Sequence, residues 1–177
     1  MLLNEELRNA IIDIPDYPKK GVAFKDVTPV FQDGGLFSKT VEALAAELAG
    51  IGIGKGCFIA GVEARGFIIG AALALKLNTG FVPIRKAGKL PRAVIKESYE
   101  LEYGTASIEM ESDAMPKGSR VVIADDLLAT GGTSIAAYNL VRRQGSNPVA
   151  FAFIVELSYL NGRRRLPCKA VSLLSYA

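Results

Sequence analysis

Residues 121–134, VVIADDLLATGGTS, constrain this chain more than any other stretch. Val121, Val122, Ile123 and Ala124 read as a buried strand. Asp125 and Asp126 follow where that strand is expected to end. Ala129, Thr130, Gly131, Gly132 and Thr133 make a small, hydroxyl-rich loop, and residues 134–143 run on with helical spacing. A strand, a loop and a helix N-terminus in series form an anion site. The first helical turn leaves backbone N–H groups without partners, and the helix dipole favours negative charge there. The two glycines let the backbone close on a ligand, and the hydroxyls of Thr130, Thr133 and Ser134 add donors. Two carboxylates aimed at that anion would repel it, so they suit sugar hydroxyls instead. Phosphate at one end and a ribose diol at the other describe a ribose 5-phosphate. A plain strand-to-helix turn with a solvated Asp pair would not need so many phosphate-compatible residues in register.

The rest of the chain repeats the strand–loop–helix theme. Residues 57–61 read as a strand, the loop GVEARG (61–66) follows, and 67–76 read as a helix. Residues 81–84 read as the next strand, and RKAGKLPR places Arg85, Lys86, Lys89 and Arg92 directly after it. Residues 94–110 look like two extended arms around SYELEYG, in which Glu100 and Glu102 alternate with Tyr99, Leu101 and Tyr103 as in an exposed hairpin. Residues 148–157 and 170–174 read as two further strands, and Gly145 ends the helix before them. Strands alternating with helices imply an α/β fold: a mainly parallel sheet with helices on both faces. Ligands then bind outside the carboxyl ends of the strands. GVEARG, RKAGK and DDLLATGGT all follow strands and should meet in one crevice. By spacing alone, Arg65 serves an anion there, a salt bridge to Glu63 or a helix-end contact.

The N-terminal part differs. Residues 3–12 read as a short amphipathic helix. Residues 14–31 hold three prolines and a glycine, which makes them irregular. They form either a strap over the core or a lid over a flat ligand. Residues 36–49 carry Phe37, Val41, Leu44, Ala45 and Leu48 at helical spacing, with Gly50 as the stop. The following IGIGKG is not a nucleotide loop: Gly50 to Lys55 is one residue short, and Gly56 stands where Ser or Thr must hold magnesium.

At 177 residues a single domain, 1–177, is expected, large enough to fold without a disulfide or structural metal. Cys57 and Cys168 lie far apart and read as reduced thiols. No apolar run reaches a membrane span, and the first residues are acidic rather than signal-like, so a cytoplasmic protein without membrane contact is expected. The net charge of +3 suits a phosphorylated substrate. Histidine is absent, so proton transfer must use Asp, Glu, Lys, Tyr or the substrate itself.

The segments PDYPKKGVAFKDVTPV, AGVEARGF, PIRKAGKLP, SYELEYG and VVIADDLLATGGTS, in this order, resemble the type I phosphoribosyltransferases over nearly the whole chain. Within them the match is to the adenine phosphoribosyltransferase family. The resemblance implies transfer of the 5-phosphoribosyl group from phosphoribosyl pyrophosphate (PRPP) to adenine, giving AMP and pyrophosphate, with Mg²⁺ carried on the PRPP. It implies a small N-terminal hood at about 1–33, a flexible β flap at about 90–108, and a homodimer. It puts Asp125 and Asp126 on the ribose hydroxyls and Ala129, Thr130, Gly131, Gly132 and Thr133 around the 5-phosphate. Arg65 and Lys89 go to the pyrophosphate, with Arg85 and Lys86 on the same basic loop. Phe24 and Leu127 flank adenine, next to Ala23, and Lys25 offers backbone groups to the base edge. Glu102 on the flap handles a purine proton, and Tyr103 closes beside it. No metal-ligating cluster of the chain's own is implied. Ala23 and Lys25 depart from the bulkier aliphatic residue and the Arg that many relatives carry.

Two rival readings differ in class. One keeps the chemistry but takes hypoxanthine, guanine or xanthine. The other is a PRPP-sensing regulator that binds nucleic acid through Arg142, Arg143 and residues 163–165. Against it stand the lack of any helix-turn-helix segment and the presence of the flap, so no nucleic-acid partner is expected.

Overall fold

A computed structural model describes residues 2–17, 19–21, 23–101 and 104–177. Helix α1 (Leu3–Ala10) buries Leu7 and stops earlier than its periodicity suggests, because Ile12 opens a strand. That strand, β1 (Ile12–Pro15), pairs antiparallel with β2 (Ala23–Asp26), with Ile14 opposite Phe24. The proline-rich region thus contains a two-stranded ribbon as well as irregular chain. A short helix, α2 (Thr28–Gln32), has Pro29 in its first turn, where a missing N–H costs nothing. Helix α3 (Gly34–Gly50) is capped by Asp33, whose side chain accepts from Leu36 N at 3.0 Å.

The main sheet then forms. Strands β3 (Cys57–Val62), β4 (Phe81–Lys86), β5 (Val94–Leu101), β6 (Gly104–Glu111), β7 (Arg120–Leu128), β8 (Asn147–Leu157) and β9 (Lys169–Tyr176) lie in the order β5-β6-β4-β3-β7-β8-β9. β4, β3, β7, β8 and β9 are parallel, and β5 and β6 add an antiparallel edge. Helix α4 (Arg65–Lys76) joins β3 to β4, and α5 (Gly132–Gln144) joins β7 to β8. Ile69 and Leu73 of α4 pack with α3 on one face; Ala137, Leu140 and Val141 of α5 pack on the other. Two apolar layers therefore sandwich the sheet, as the alternation of elements requires. Phe151 and Phe153 of β8 are fully buried beneath α5, each contributing roughly 1.5–3 kcal/mol of transfer free energy.

Two boundaries differ from the sequence reading. β7 does not end at Ala124 but runs on through both carboxylates to Leu128, because the long strand β8 keeps pairing with it as far as Leu128 opposite Glu156. The hairpin is not exposed throughout. β6 pairs with β4, and its Ile108 and Met110 are buried under α5. β5 is fastened to α5 by Asn139, which donates to Glu97 at 3.1 Å, and by Arg143, which donates to Glu97 at 2.8 Å.

Candidate active site

A cleft of about 450 Å³ opens at the carboxyl end of β7, lined by Glu63, Ala64, Arg65, Tyr99, Asp125, Asp126, Leu127 and Thr133. The acidic pair forms its wall. Burial, and then the neighbouring charge of Asp126, hold the Asp125 carboxyl well above the usual carboxylate range. Asp125 Oδ1 accepts the N–H of Asp126 at 2.9 Å. Asp126 is 5% exposed, and its Oδ2 lies 2.6 Å from Arg65 Nε. That oxygen is itself buried and has no aligned hydrogen-bond partner among the described atoms, so the Arg65 guanidinium serves as its ionic partner. Arg65 starts α4, and Gly66 lets that helix approach β7: a Cβ there would stand 2.7 Å from the Ala124 carbonyl oxygen.

The loop 129–133 enters α5 through Gly131, which takes a left-handed φ of 82°. Thr133 turns its hydroxyl to Tyr99 Oη at 3.2 Å. The loop is backed by the 3₁₀ turn Gly162–Arg165. Gly162 lies so close that a Cβ on it would collide with the Ala129 carbonyl oxygen. Arg165 donates to the Thr130 carbonyl at 2.8 Å. Arg163 grips Glu156 through Nε at 2.8 and 2.9 Å, and this hydrogen bonding holds the Glu156 carboxyl below its usual range.

The basic loop follows β4 on the next rim. Arg85 Nε lies 3.3 Å from Glu63 Oε2, and the same oxygen accepts Lys86 N at 2.9 Å. Glu63 lines the cleft and so ties this loop to it. The sequence alternative of an Arg65–Glu63 bridge is not what forms: Glu63 takes Arg85, and Arg65 takes Asp126. Glu109 of β6 accepts the N–H groups of Lys89 at 2.8 Å and Leu90 at 3.0 Å.

On the hood side, the Arg65 guanidinium sits 5.2 Å from the Phe24 ring centroid, and Tyr17 meets Phe24 edge-on at 5.2 Å. Lys25 turns its ammonium away, to Asp13 at 2.6 Å and over the Tyr176 ring at 4.1 Å. Its side chain is therefore not offered to a ligand on that side; along the same strand Lys25 pairs with Asp13 and Ala23 with Pro15.

Residues 31–172 match the phosphoribosyl transferase domain family. The chain is 51% identical over 173 residues to an adenine phosphoribosyltransferase of Geotalea uraniireducens, covering 97% of this chain and 99% of that one. The crystal structure of adenine phosphoribosyltransferase from Thermoanaerobacter pseudethanolicus superposes with a TM-score of 0.93 at 48% identity, covering 99% and 100% of the two chains. The Saccharomyces cerevisiae enzyme, solved with an imino-altritol bisphosphate and adenine, gives 0.92 at 42% identity, covering 97% and 98%.

The chain belongs to the adenine phosphoribosyltransferase family.

For a member of the adenine phosphoribosyltransferase family, the residues singled out in the sequence fall into three groups. Arg65, Asp125, Asp126, Leu127 and Thr133 meet in the cleft, and Phe24 reaches it through Arg65. Ala129, Thr130, Gly131 and Gly132 lie on the adjoining loop; Arg85, Lys86 and Lys89 occupy the neighbouring rim instead of the cleft wall. Glu102 and Tyr103 lie outside the described residues. Sequence reasoning missed Tyr99, Glu109, Gly162 and Arg165. Only Tyr99 carried a usable signal, as an aromatic residue facing into a hairpin beside the motif. Four of the five arginines suspected of a basic face are engaged within the fold: Arg142 with Asn147, Arg143 with Glu97, Arg163 with Glu156 and Arg165 with Thr130.

Proposed function

We propose that this chain transfers the 5-phosphoribosyl group of PRPP to adenine, releasing AMP and pyrophosphate. The observation that carries the reading is the joining of the acidic pair and the Ala129–Thr133 loop in one strand–loop–helix unit at the cleft. The loop and the α5 N-terminus receive the 5-phosphate. Asp125 and Asp126 accept from the ribose hydroxyls and favour the positive charge that builds on the anomeric carbon as pyrophosphate leaves. Arg65, Arg85, Lys86 and Lys89 receive the leaving group. Phe24 and Leu127 enclose the base, with Ala23 beside it and Lys25 offering backbone groups.

Among the described residues, no three His, Cys, Asp or Glu side chains are grouped to hold a metal ion. In this reading magnesium arrives with PRPP, and the cleft-lining carboxylates Asp125 and Asp126 would accept from its bound water. When bound it neutralises charge on the departing diphosphate. Glu102 handles a purine proton while Tyr103 closes beside it. Glu102→Leu should then lower kcat by about a hundredfold or more, and Glu100→Leu should do little. Equal small losses from both would remove the role.

Adenine is favoured over six-oxo purines because the Lys25 ammonium is held by Asp13 and Tyr176 rather than offered to a base. The yeast relative solved with adenine supports the same choice. Ile68 and Leu75 of α4, 43% and 84% exposed, give a second copy of the chain an apolar face to cover, in keeping with a homodimer. A reducing cytoplasm suits Cys57 and Cys168, which are both free. The decisive test is incubation with PRPP, Mg²⁺ and each of adenine, hypoxanthine, guanine and xanthine. AMP from adenine alone is expected; a faster reaction with a six-oxo purine would overturn the base assignment, and no nucleotide from any base would overturn the reaction.

A further inference from the structure

The basic loop poses a physical problem of its own. Arg85, Lys86, Lys89 and Arg92 stand close together in sequence, and like charges at short range resist being ordered. Carboxylates bound to their side chains would relieve the repulsion but would also occupy the cations. Arg85 is met in that way by Glu63 and Arg92 by Glu111 and Asp113, but the turn that carries Lys89 is held differently. Glu109 sits on β6, opposite Arg85 of β4, and is 1% exposed. Its Oε1 accepts the backbone N–H of Lys89 and of Leu90, at 2.8 and 3.0 Å, and so leaves the Lys89 ammonium out of these bonds. The Gly88 N–H is directed to the same carboxylate, and Lys96 Nζ lies 3.6 Å from its other oxygen. Burial alone would push this carboxyl up, but the three N–H groups and Lys96 outweigh it and hold the group below its usual range. Three consecutive backbone donors on one buried carboxylate fix the path of the turn rather than the direction of one side chain.

We infer that Glu109 is a positioning residue for pyrophosphate: it shapes the 88–90 turn so that the Lys89 ammonium is presented to the diphosphate. The inference deepens the proposed reaction and rests on it. It also makes the base of the hairpin and the pyrophosphate loop one unit, since Glu109 belongs to the first and its hydrogen bonds to the second. Truncating the carboxylate leaves the N–H groups unpaired and frees the turn. Glutamine keeps an oxygen that can accept from Lys89 and Leu90 but loses the charge.

The test is calorimetric titration of the full chain with magnesium pyrophosphate and, separately, with AMP, together with the KM for PRPP. AMP lacks a diphosphate and reports only on the rest of the site. Glu109→Ala should weaken pyrophosphate and raise the KM for PRPP by about tenfold, with AMP affinity nearly unchanged. Glu109→Gln should fall between, at about threefold, and carries the test alone if the alanine variant does not fold. Pyrophosphate binding at the parental level in these variants would overturn the inference. So would an equal loss of AMP and pyrophosphate, which would mark Glu109 as a general structural residue. A parent protein that binds AMP but no pyrophosphate would instead overturn the assignment of the basic loop, and this inference with it.

Discussion

Two loops of this molecule are suited to negative charge, and they are built in opposite ways. The loop 129–133 has no charged side chain; it offers backbone N–H groups, hydroxyls and the start of α5. The loop after β4 relies on charged side chains, Arg85, Lys86 and Lys89. Their supports differ in the same sense. Main chain and Arg165 back the first, at Gly162 and the Thr130 carbonyl; carboxylates back the second, the half-buried Glu63 and the buried Glu109. Fixed dipoles bring no self-repulsion and fit one shape, which suits a phosphate that stays with both substrate and product. Long cationic side chains adapt and let go, which suits a leaving group. The difference teaches that one site can hold two kinds of phosphate by separating shape from charge.

The acidic pair stands between the loops and tests whether they suffice without it. Asp125→Asn with Asp126→Asn should cost about a hundredfold or more in turnover, because fixed charge at the reacting carbon is lost. Both side chains line the cleft, and asparagine preserves their shape, so the fold should persist although β7 continues through them. Steady-state kinetics with circular dichroism checks both halves. Turnover near the parental rate would leave the loops as the whole of the catalyst and remove the ribose assignment.

A smaller effect separates the loops themselves. A Cβ on Gly132 meets only the Tyr99 ring, at 3.9 Å, so Gly132→Val should fold yet place a branched side chain where the phosphate must lie. AMP binding should fall below detection by calorimetry. Lys89→Ala removes one adaptable cation of several and should weaken pyrophosphate by about tenfold, leaving AMP alone. A graded loss at Gly132 and a complete loss at Lys89 would reverse the comparison.

The two loops were also unequally legible. The strand–loop–helix around 129–133 was readable because its information is local: strand, carboxylates, glycines and helix follow one another within residues 121–134. Its one misreading, the early end of the strand, came from β8, whose pairing lies beyond the motif. The brace at Gly162 and Arg165 was not readable. Residues 163–165 look like a solvated or nucleic-acid-binding patch until the chain brings them behind Thr130. Glu109 was hidden for the same reason. Alternation in a hairpin makes a glutamate look exposed, and only the turn after β4, which follows a different strand, buries it. The hood was readable in part, since proline and glycine mark irregular chain but do not announce the pairing of Ile14 with Phe24.

The smallest expected effect is on stability, and it too contrasts the two sides. Asp125 has its folded-state pKa raised, mainly by burial and by Asp126. Its contribution to stability is complete below the unfolded carboxylate range, near about 4, and is lost as pH rises through the raised value. Glu109 has its pKa lowered, because the Gly88, Leu90 and Lys89 N–H groups and Lys96 overcome burial. Its contribution is present above the unfolded range and is lost as pH falls through the lowered value. Neutral substitutions should therefore move the melting temperature in opposite directions. At neutral pH Asp125→Asn should raise Tm by a few degrees, and Glu109→Gln should lower it. Both differences should shrink on acidification, the first as the parent's Asp125 takes up its proton and the second as Glu109 loses its charge. Scanning calorimetry of the two variants against the parent at neutral and acid pH checks this. A Tm for Asp125→Asn below the parent's at neutral pH would mean that Arg65 and the Asp126 N–H hold Asp125 ionised after all, and the acidic wall would then stabilise the fold as well as the reaction.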